Sequence, residues 1–292
     1  MTRPTTWTDP ADPLTRLPKV SLHDHLDGSL RPETLIELAD AAGVALPRHT
    51  PRELQTWFRD FAILEPRRDW EDLFGLSTSL MQTAPQLHRV AREYVHTLAA
   101  DGVVYAETRW APEKHLGGGL SMDAAVEAVH DGLDAGMREV GEAGHRVTVR
   151  QVLSVMRTGV SDDEVVAAAE RGRAAGVVGI DLAGHEEGHP AHAHARAFTR
   201  AAHAGVHRTV HAGEADGAGS IADALATCAA ERIGHGARTR ADRLQPLAAH
   251  TPPPPGSAPR RDRGRPGPSA LQHTARRAGR RARRRLPRRG RR

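Results

Sequence analysis

The sequence predicts an α/β chain of the barrel type, built from repeated βα units and followed by a basic tail of different character. Three observations predict it. Short Val/Ile-rich runs recur at a nearly regular interval, capped amphipathic segments fall between them, and histidines, glycines and a glutamate gather where the runs end.

The first run is KVSLHDH (19–25). GVVYAETRW (102–110), RVTVRQVLSV (146–155), VVGIDLAG (177–184), VHRTVHAGE (206–214) and RIGHG (232–236) follow. After the first gap the starts are 44, 31, 29 and 26 residues apart, the repeat length of a βα unit. Runs this short and this apolar suit strands buried beneath helices. Between them, RPETLIELADAAGV (31–44) opens with Pro32, sets Leu35, Leu38, Ala39 and Ala42 on one face and stops at Gly43. SDDEVVAAAERGRAAG (161–176) carries a capping-box pair, Ser161 and Glu164, and is expected to run to Gly176. GSIADALATCAA (219–230) follows the fifth strand with Ser220 as the expected cap.

The long first gap holds Trp57, Phe58, Phe61, Trp70, Leu73 and Phe74. An apolar helical insertion at about 53–82 is therefore expected to serve as a cover or as plain packing. Six βα units can be counted before the pattern stops near Pro246, whereas a closed barrel of this type has eight. The domain reading is an N-terminal extension at 1–17, an incomplete barrel at 18–250 and a tail at 251–292.

Charge separates the tail from the body. Residues 251–292 hold fifteen Arg, no Lys and one acid, Asp262, a net of +14, which leaves −9 on residues 1–250 out of the whole-chain +5. The body is thus an ordinary acidic domain, and nucleic-acid binding is an expectation for the tail alone. A single cysteine, Cys228, excludes an internal disulfide and a thiolate zinc site within one chain. A reducing cytoplasm is the expected location. The first twenty residues lack the apolar core of a signal peptide, and no run has the length of a membrane span.

Alternate residues of a strand share a face, so Ser21, His23 and His25 are expected to point together into the barrel, with Val20 and Leu22 toward the helices. A lone His-x-His is weak evidence. A second one, AHAHA (191–195), lies in an Ala-rich helical stretch and reads as solvated surface. His23 and His25 gain weight from Gly184, His211, Glu214 and His235, all at the ends of successive strands, the face on which barrels of this kind place their chemistry. Three imidazoles suit a catalytic zinc with a position left for water. An adjacent Glu214 supplies a proton-transfer group, so metal-assisted hydrolysis is the expected reaction class.

These motifs resemble the adenosine deaminase family of zinc-dependent hydrolases, which are (β/α)8 TIM barrels. PKVSLHDHLDGSLRPETLIELA, GVVYAETRWAPEKH, GIDLAGHE, TVHAGE and ERIGHGART match family segments in order over about residues 18–246. The resemblance implies one Zn²⁺ per chain on His23, His25 and His211. It implies that Glu214 protonates a purine ring nitrogen and that His235 orients the attacking water. His25, the Gly184 N–H and Asp27 would line the substrate, with Asp27 on the ribose. Family members acting on the free base tend to carry Glu at that position, so Asp27 favours a nucleoside. The implied activity is deamination of adenosine or 2'-deoxyadenosine to inosine and ammonia, in purine salvage. Alternatives are another purine or modified nucleoside, and a non-catalytic purine- or nucleic-acid-binding remnant.

The resemblance also implies a fourth ligand, an aspartate at the end of strand eight in a Thr-Asp-Asp-Pro-like segment. From residue 251 onward the only acid is Asp262, flanked by arginines in a Pro/Gly-rich run. The tail reads as a disordered basic arm, as a linker, or as out-of-frame translation, and the composition favours the last. The chain uses 39 Arg against 2 Lys and is rich in Ala, Gly and Pro, as a GC-rich gene read out of frame would give. With strands seven and eight missing, strands one and six are expected to be open edges.

Overall fold

Tyr94 and Asp24 show how the first layers meet. The Tyr94 hydroxyl donates to Asp24 Oδ2 at 2.9 Å, pinning a helix to the outer side of the first strand. The computed structural model describes residues 14, 17–64 and 70–238. The tail at 251–292 and, apart from Leu14 and Leu17, the extension at 1–17 lie outside the described residues.

The strands are β1 Lys19–His25, β2 Val103–Trp110, β3 Thr148–Met156, β4 Val177–Ala183, β5 His207–Ala212 and β6 Arg232–His235. They form one sheet in chain order, β1-β2-β3-β4-β5-β6, and every adjacent pair is parallel. Helices α1 Pro32–Ala42, α2 Pro51–Leu64, α3 Trp70–Ser79 and α4 Ala84–Ala100 separate β1 from β2. α5 Met122–Glu142, α6 Asp162–Arg171, α7 Ala195–His203 and α8 Ala218–Thr227 fill the later gaps in turn. This is the alternating parallel architecture that the spacing predicts, an α/β barrel-type sheet with six strands among the described residues.

The sheet is curled rather than flat. A Cβ built on Gly234 of β6 would lie 2.5 Å from His23 Cε1 of β1, so the first and last strands face each other across the barrel. Arg232 of β6 likewise reaches Glu107 of β2. The apolar core lies between strands and helices, with Trp110, Leu133, Leu153, Ile180 and Phe198 fully enclosed. Each such side chain contributes about 1.5–3 kcal/mol on burial. A smaller cluster of Leu35, Leu38, Ala39, Leu54 and Leu80, with Phe58 against it, binds α1, α2 and the end of α3 into the expected helical insertion.

Local details depart from the sequence reading for identifiable reasons. α1 starts at Pro32 and stops at Gly43 as expected, but Ala42 is exposed in its final turn. Ser161 precedes α6 without a side-chain cap, because its backbone (φ −104°, ψ 18°) is not the extended conformation a capping hydroxyl needs. Three acids in the first turn, Asp162, Asp163 and Glu164, meet the positive end of that helix instead. α6 also ends at Arg171, not Gly176. Ser220 is not the cap of α8, which begins after Gly217. Its hydroxyl donates to Glu186 Oε1 at 2.5 Å. In the 191–195 stretch His192 is exposed, but His194 is 6% exposed and pairs with Asp162 Oδ2 at 2.7 Å, so the expectation of solvated surface fails for that residue.

β1 and β6 are the edges of the described sheet. Val20, expected to face helices, is 59% exposed, with Leu17 at 54% and Val104 at 42% nearby in sequence and register. An apolar residue exposed on an edge strand of the described sheet favours chain association. Val20→Lys is therefore expected to reduce concentration-dependent light scattering while changing unfolding free energy by no more than about 0.5 kcal/mol. Among the described residues no helix is long and apolar enough to cross a membrane.

Candidate active site

The seven candidate site residues, His23, His25, Asp27, Gly184, His211, Glu214 and His235, sit at the C-terminal rim of the sheet. His23 and His25 end β1, and Asp27 lies in the 3-10 turn Leu26–Gly28 that follows. Gly184 follows β4, His211 is the penultimate residue of β5 with Glu214 just beyond it, and His235 ends β6. Parallel strands put these ends on one side, so chain positions more than 200 residues apart converge.

The convergence is tight. The donor atoms of His23, His211 and His235 all lie within 4.8 Å of one another. His25 joins them through its Nε2, 3.1 Å from His211 Nε2. Ring centroids are 4.5 Å apart for His23–His211 and for His23–His235, and 5.1 Å apart for His25–His211. Gly234 makes this possible, since any side chain there would occupy the space of the His23 ring. The His235 backbone is left-handed (φ 67°), uncommon for a residue with a Cβ, and strain of this kind tends to gather at functional sites. Gly184 also needs its positive φ of 95°, and a Cβ there would press on Met156 Cε at 3.1 Å.

A buried charge pair orients the cluster. Asp181, in the middle of β4, is fully enclosed and its Oδ2 meets His211 Nδ1 at 2.7 Å and Arg109 Nη1 at 3.2 Å. Arg109 of β2, also fully buried, donates through Nη2 to the Leu22 carbonyl of β1 at 2.7 Å. Burial alone would raise the Asp181 carboxyl, but the neighbouring His211 and Arg109 hold it far below the usual range. His211 thus turns Nδ1 to a carboxylate and Nε2 to the cluster, the arrangement that fixes ring orientation in metal-binding histidines.

The electrostatics at His23 suit a metal ligand. Burial, then the neighbouring His211 and Arg109, push the His23 imidazole well below its ordinary pKa, so it stays neutral. Its Nε2 is buried with no hydrogen-bond partner, an orphaned atom that a metal would satisfy. Two ligand nitrogens about 3.3 Å apart are what tetrahedral coordination at about 2.0–2.1 Å requires, close to the 3.1 Å between His25 Nε2 and His211 Nε2. The donors therefore fit zinc or a similar ion. Burial lowers His235 to about 4 despite Glu214, whose Oε2 lies 3.4 Å from His235 Nε2. Asp27 Oδ1, 3.7 Å from His25 Nδ1, is buried without a hydrogen-bond partner among the described residues. The Phe74 ring of α3 lies over His25 with centroids 5.5 Å apart, which brings the helical insertion to the rim. The side chains of Phe61, Trp70 and Leu73 lie outside the described residues.

The adenosine deaminase family model matches residues 18–251. The chain belongs to the adenosine deaminase family. It is 45% identical over 239 residues to an adenosine deaminase of Mycolicibacterium vanbaalenii, covering 82% of this chain and 65% of the relative. It is also 45% identical over 232 residues to adenosine deaminase 1 of Streptomyces coelicolor, covering 79% and 59%. The chain therefore spans about 59–65% of the length of these curated relatives. Among solved structures, the Arabidopsis N6-mAMP deaminase MAPDA superposes with a TM-score of 0.67 at 30% identity, covering 81% of this chain and 70% of that one. An amidohydrolase from Burkholderia ambifaria with bound Zn gives 0.65 at 28% identity, covering 76% and 60%. A deaminase-family chain with these neighbours and this donor cluster is expected to use a metal cofactor.

Four supporting residues escaped the motif reading: Arg109, Arg157, Asp181 and Glu186. A signal existed for Asp181 and Arg109, since a charge inside an apolar strand run must be paired. Glu186 and Arg157 carry no such mark. Asp181→Ala would leave the Arg109 charge buried and alone. It is expected to cost about 3–5 kcal/mol, a large part of the roughly 5–15 kcal/mol that holds a domain, and denaturant unfolding reads the loss.

Proposed function

We propose that this chain descends from a zinc-dependent adenosine deaminase that hydrolyses adenosine-type nucleosides to inosine and ammonia, and that its own activity is impaired. The observation that carries the first part is the four-imidazole cluster with Glu214 and His235 on one rim. His23, His25 and His211 would hold one Zn²⁺ per chain, with the His235 nitrogen in the same range. Bound there, zinc supplies Lewis acidity that brings a water's pKa toward neutrality.

The chain's own groups supply the remainder. His235, kept neutral by burial, accepts a hydrogen bond from the attacking water and takes up its proton. Glu214 hands a proton to the purine ring nitrogen beside the attacked carbon. The Gly184 N–H donates to another ring nitrogen, and the unsatisfied Asp27 oxygen accepts from the ribose. Water adds at C6, the proton held by His235 passes to the amino group as the C–N bond breaks and ammonia leaves, and the C6 hydroxyl proton returns to Glu214 as the carbonyl forms. Phe74 and the insertion around it would cover the substrate and exclude bulk water.

Asp27 and the identities to curated adenosine deaminases favour adenosine over a free base. A modified nucleotide is the second reading, favoured by the likeness to the N6-mAMP deaminase. The support for impairment is the sequence beyond residue 238, where no Thr-Asp-Asp-Pro-like segment supplies the fourth ligand and a water-contacting acid. Losing even an indirect partner of a metal ligand costs about 10–100-fold, and a direct ligand costs more.

The test measures ammonia release from adenosine, 2'-deoxyadenosine, adenine and N6-methyl-AMP, with and without added Zn²⁺. The Mycolicibacterium relative serves as reference. Adenosine is expected to be the preferred substrate, at a rate at least about 100-fold below the reference and abolished by His211→Ala. A rate equal to the reference would overturn the impairment. Turnover of adenine alone would overturn the nucleoside assignment.

A further inference from the structure

Glu186 takes no part in the chemistry above, yet it is the most heavily engaged carboxylate at the rim. It is 5% exposed and lies two residues beyond Gly184. Its Oε1 accepts from the Gly213 N–H at 2.6 Å and from the Ser220 hydroxyl at 2.5 Å. Its Oε2 accepts from the N–H groups of Glu214, Ala215 and Asp216 at 2.9, 2.7 and 3.0 Å. Four consecutive N–H groups that converge on one point form an anion nest. They repel one another and find no backbone partner together, so this loop conformation exists because a carboxylate fills it.

The other side of the same segment is gripped by a cation. Arg157, 5% exposed, follows β3 and donates through Nη2 to the His211 carbonyl at 2.7 Å, with Nη1 on the His189 carbonyl. Residues 211–216 are therefore held by a buried Arg at the strand end and a buried Glu in the loop. The Glu214 N–H is one of the four donors, and the Glu214 carboxylate stands 3.4 Å from His235 Nε2.

We propose that Glu186, assisted by Arg157, is the positioning residue that sets the Glu214 carboxylate against His235 and the imidazole cluster. The proposal rests on the proton-transfer role given to Glu214 above. It does not require turnover to be tested. Glutamine at 186 keeps the shape but turns one acceptor oxygen into a donor, which then faces either Gly213 N–H or three N–H groups.

The experiment uses the full chain and its Glu186→Gln, Glu214→Gln and Ser220→Ala variants. It records amide hydrogen exchange together with the imidazole resonances of His235. In Glu186→Gln, exchange at 213–216 is expected to rise about 10–100-fold, with β2 and β3 amides unchanged. The His235 resonances are expected to move to the positions they take in Glu214→Gln. A role confined to structure would raise exchange without that movement, and this result would overturn the proposal. A Glu214→Gln chain whose His235 resonances stay in place would overturn it too. Should Glu186→Gln not fold, Ser220→Ala decides. It removes one donor, and His235 is expected to shift in the same direction by less, while no shift refutes the assignment. Failure of adenosine conversion would count against the deaminase reading alone, because none of these signals depends on catalysis.

Discussion

Asp181 and Arg109 meet at 3.2 Å with neither side chain reaching water, and the geometry of the rim follows from that contact. Two charges removed from solvent persist here by pairing with each other, although Asp181 Oδ1 and Arg109 Nε find no hydrogen-bond partner among the described residues. Asp181 spends one oxygen on both Arg109 and His211, and Arg109 spends its other nitrogen on the Leu22 carbonyl. β2, β4, β5 and β1 are thereby referenced to a single point inside the barrel. Replacing the pair by aliphatic residues would pack as well and leave His211 free to rotate. The polar interior therefore serves the site's orientation more than the stability of the fold.

The strands were legible because a buried parallel strand has a short apolar run with few alternatives, and all six begin and end within two residues of the sequence reading. The rim residues were legible for a related reason: polar side chains where apolar runs end have a common address in parallel sheets. Cap positions were not, because a capping hydroxyl competes with tertiary partners that sequence spacing does not reveal. Ser220 is the clearest case, lost to Glu186 from another unit. Val20 was misread because its covering layer was assumed from the repeat, and no described element lies over it. His194 was misread because Asp162, thirty-two residues earlier, draws it inward.

The site also shows which parts of such a barrel can vary. The central strands β2 to β5 carry the buried charges and most of the core, and they pair on both sides. The edge strands carry three of the four imidazoles, with one hydrogen-bonded neighbour each among the described residues. Chemistry is thus concentrated where the sheet is least constrained by its own ladder, and rigidity has to come from below, through Arg109 and Asp181, and from the side, through Glu186 and Arg157.

The close approach of His23 to Gly234 carries one more consequence. β1 and β6 are not hydrogen-bonded to each other, but their rings stand edge to face across the gap. An ion shared by the rings of β1, β5 and β6 would act as a clasp, fastening the two free margins of the sheet where no ladder joins them. Metal affinity and the shape of the barrel then become one equilibrium, and whatever spreads the margins apart also loosens the metal.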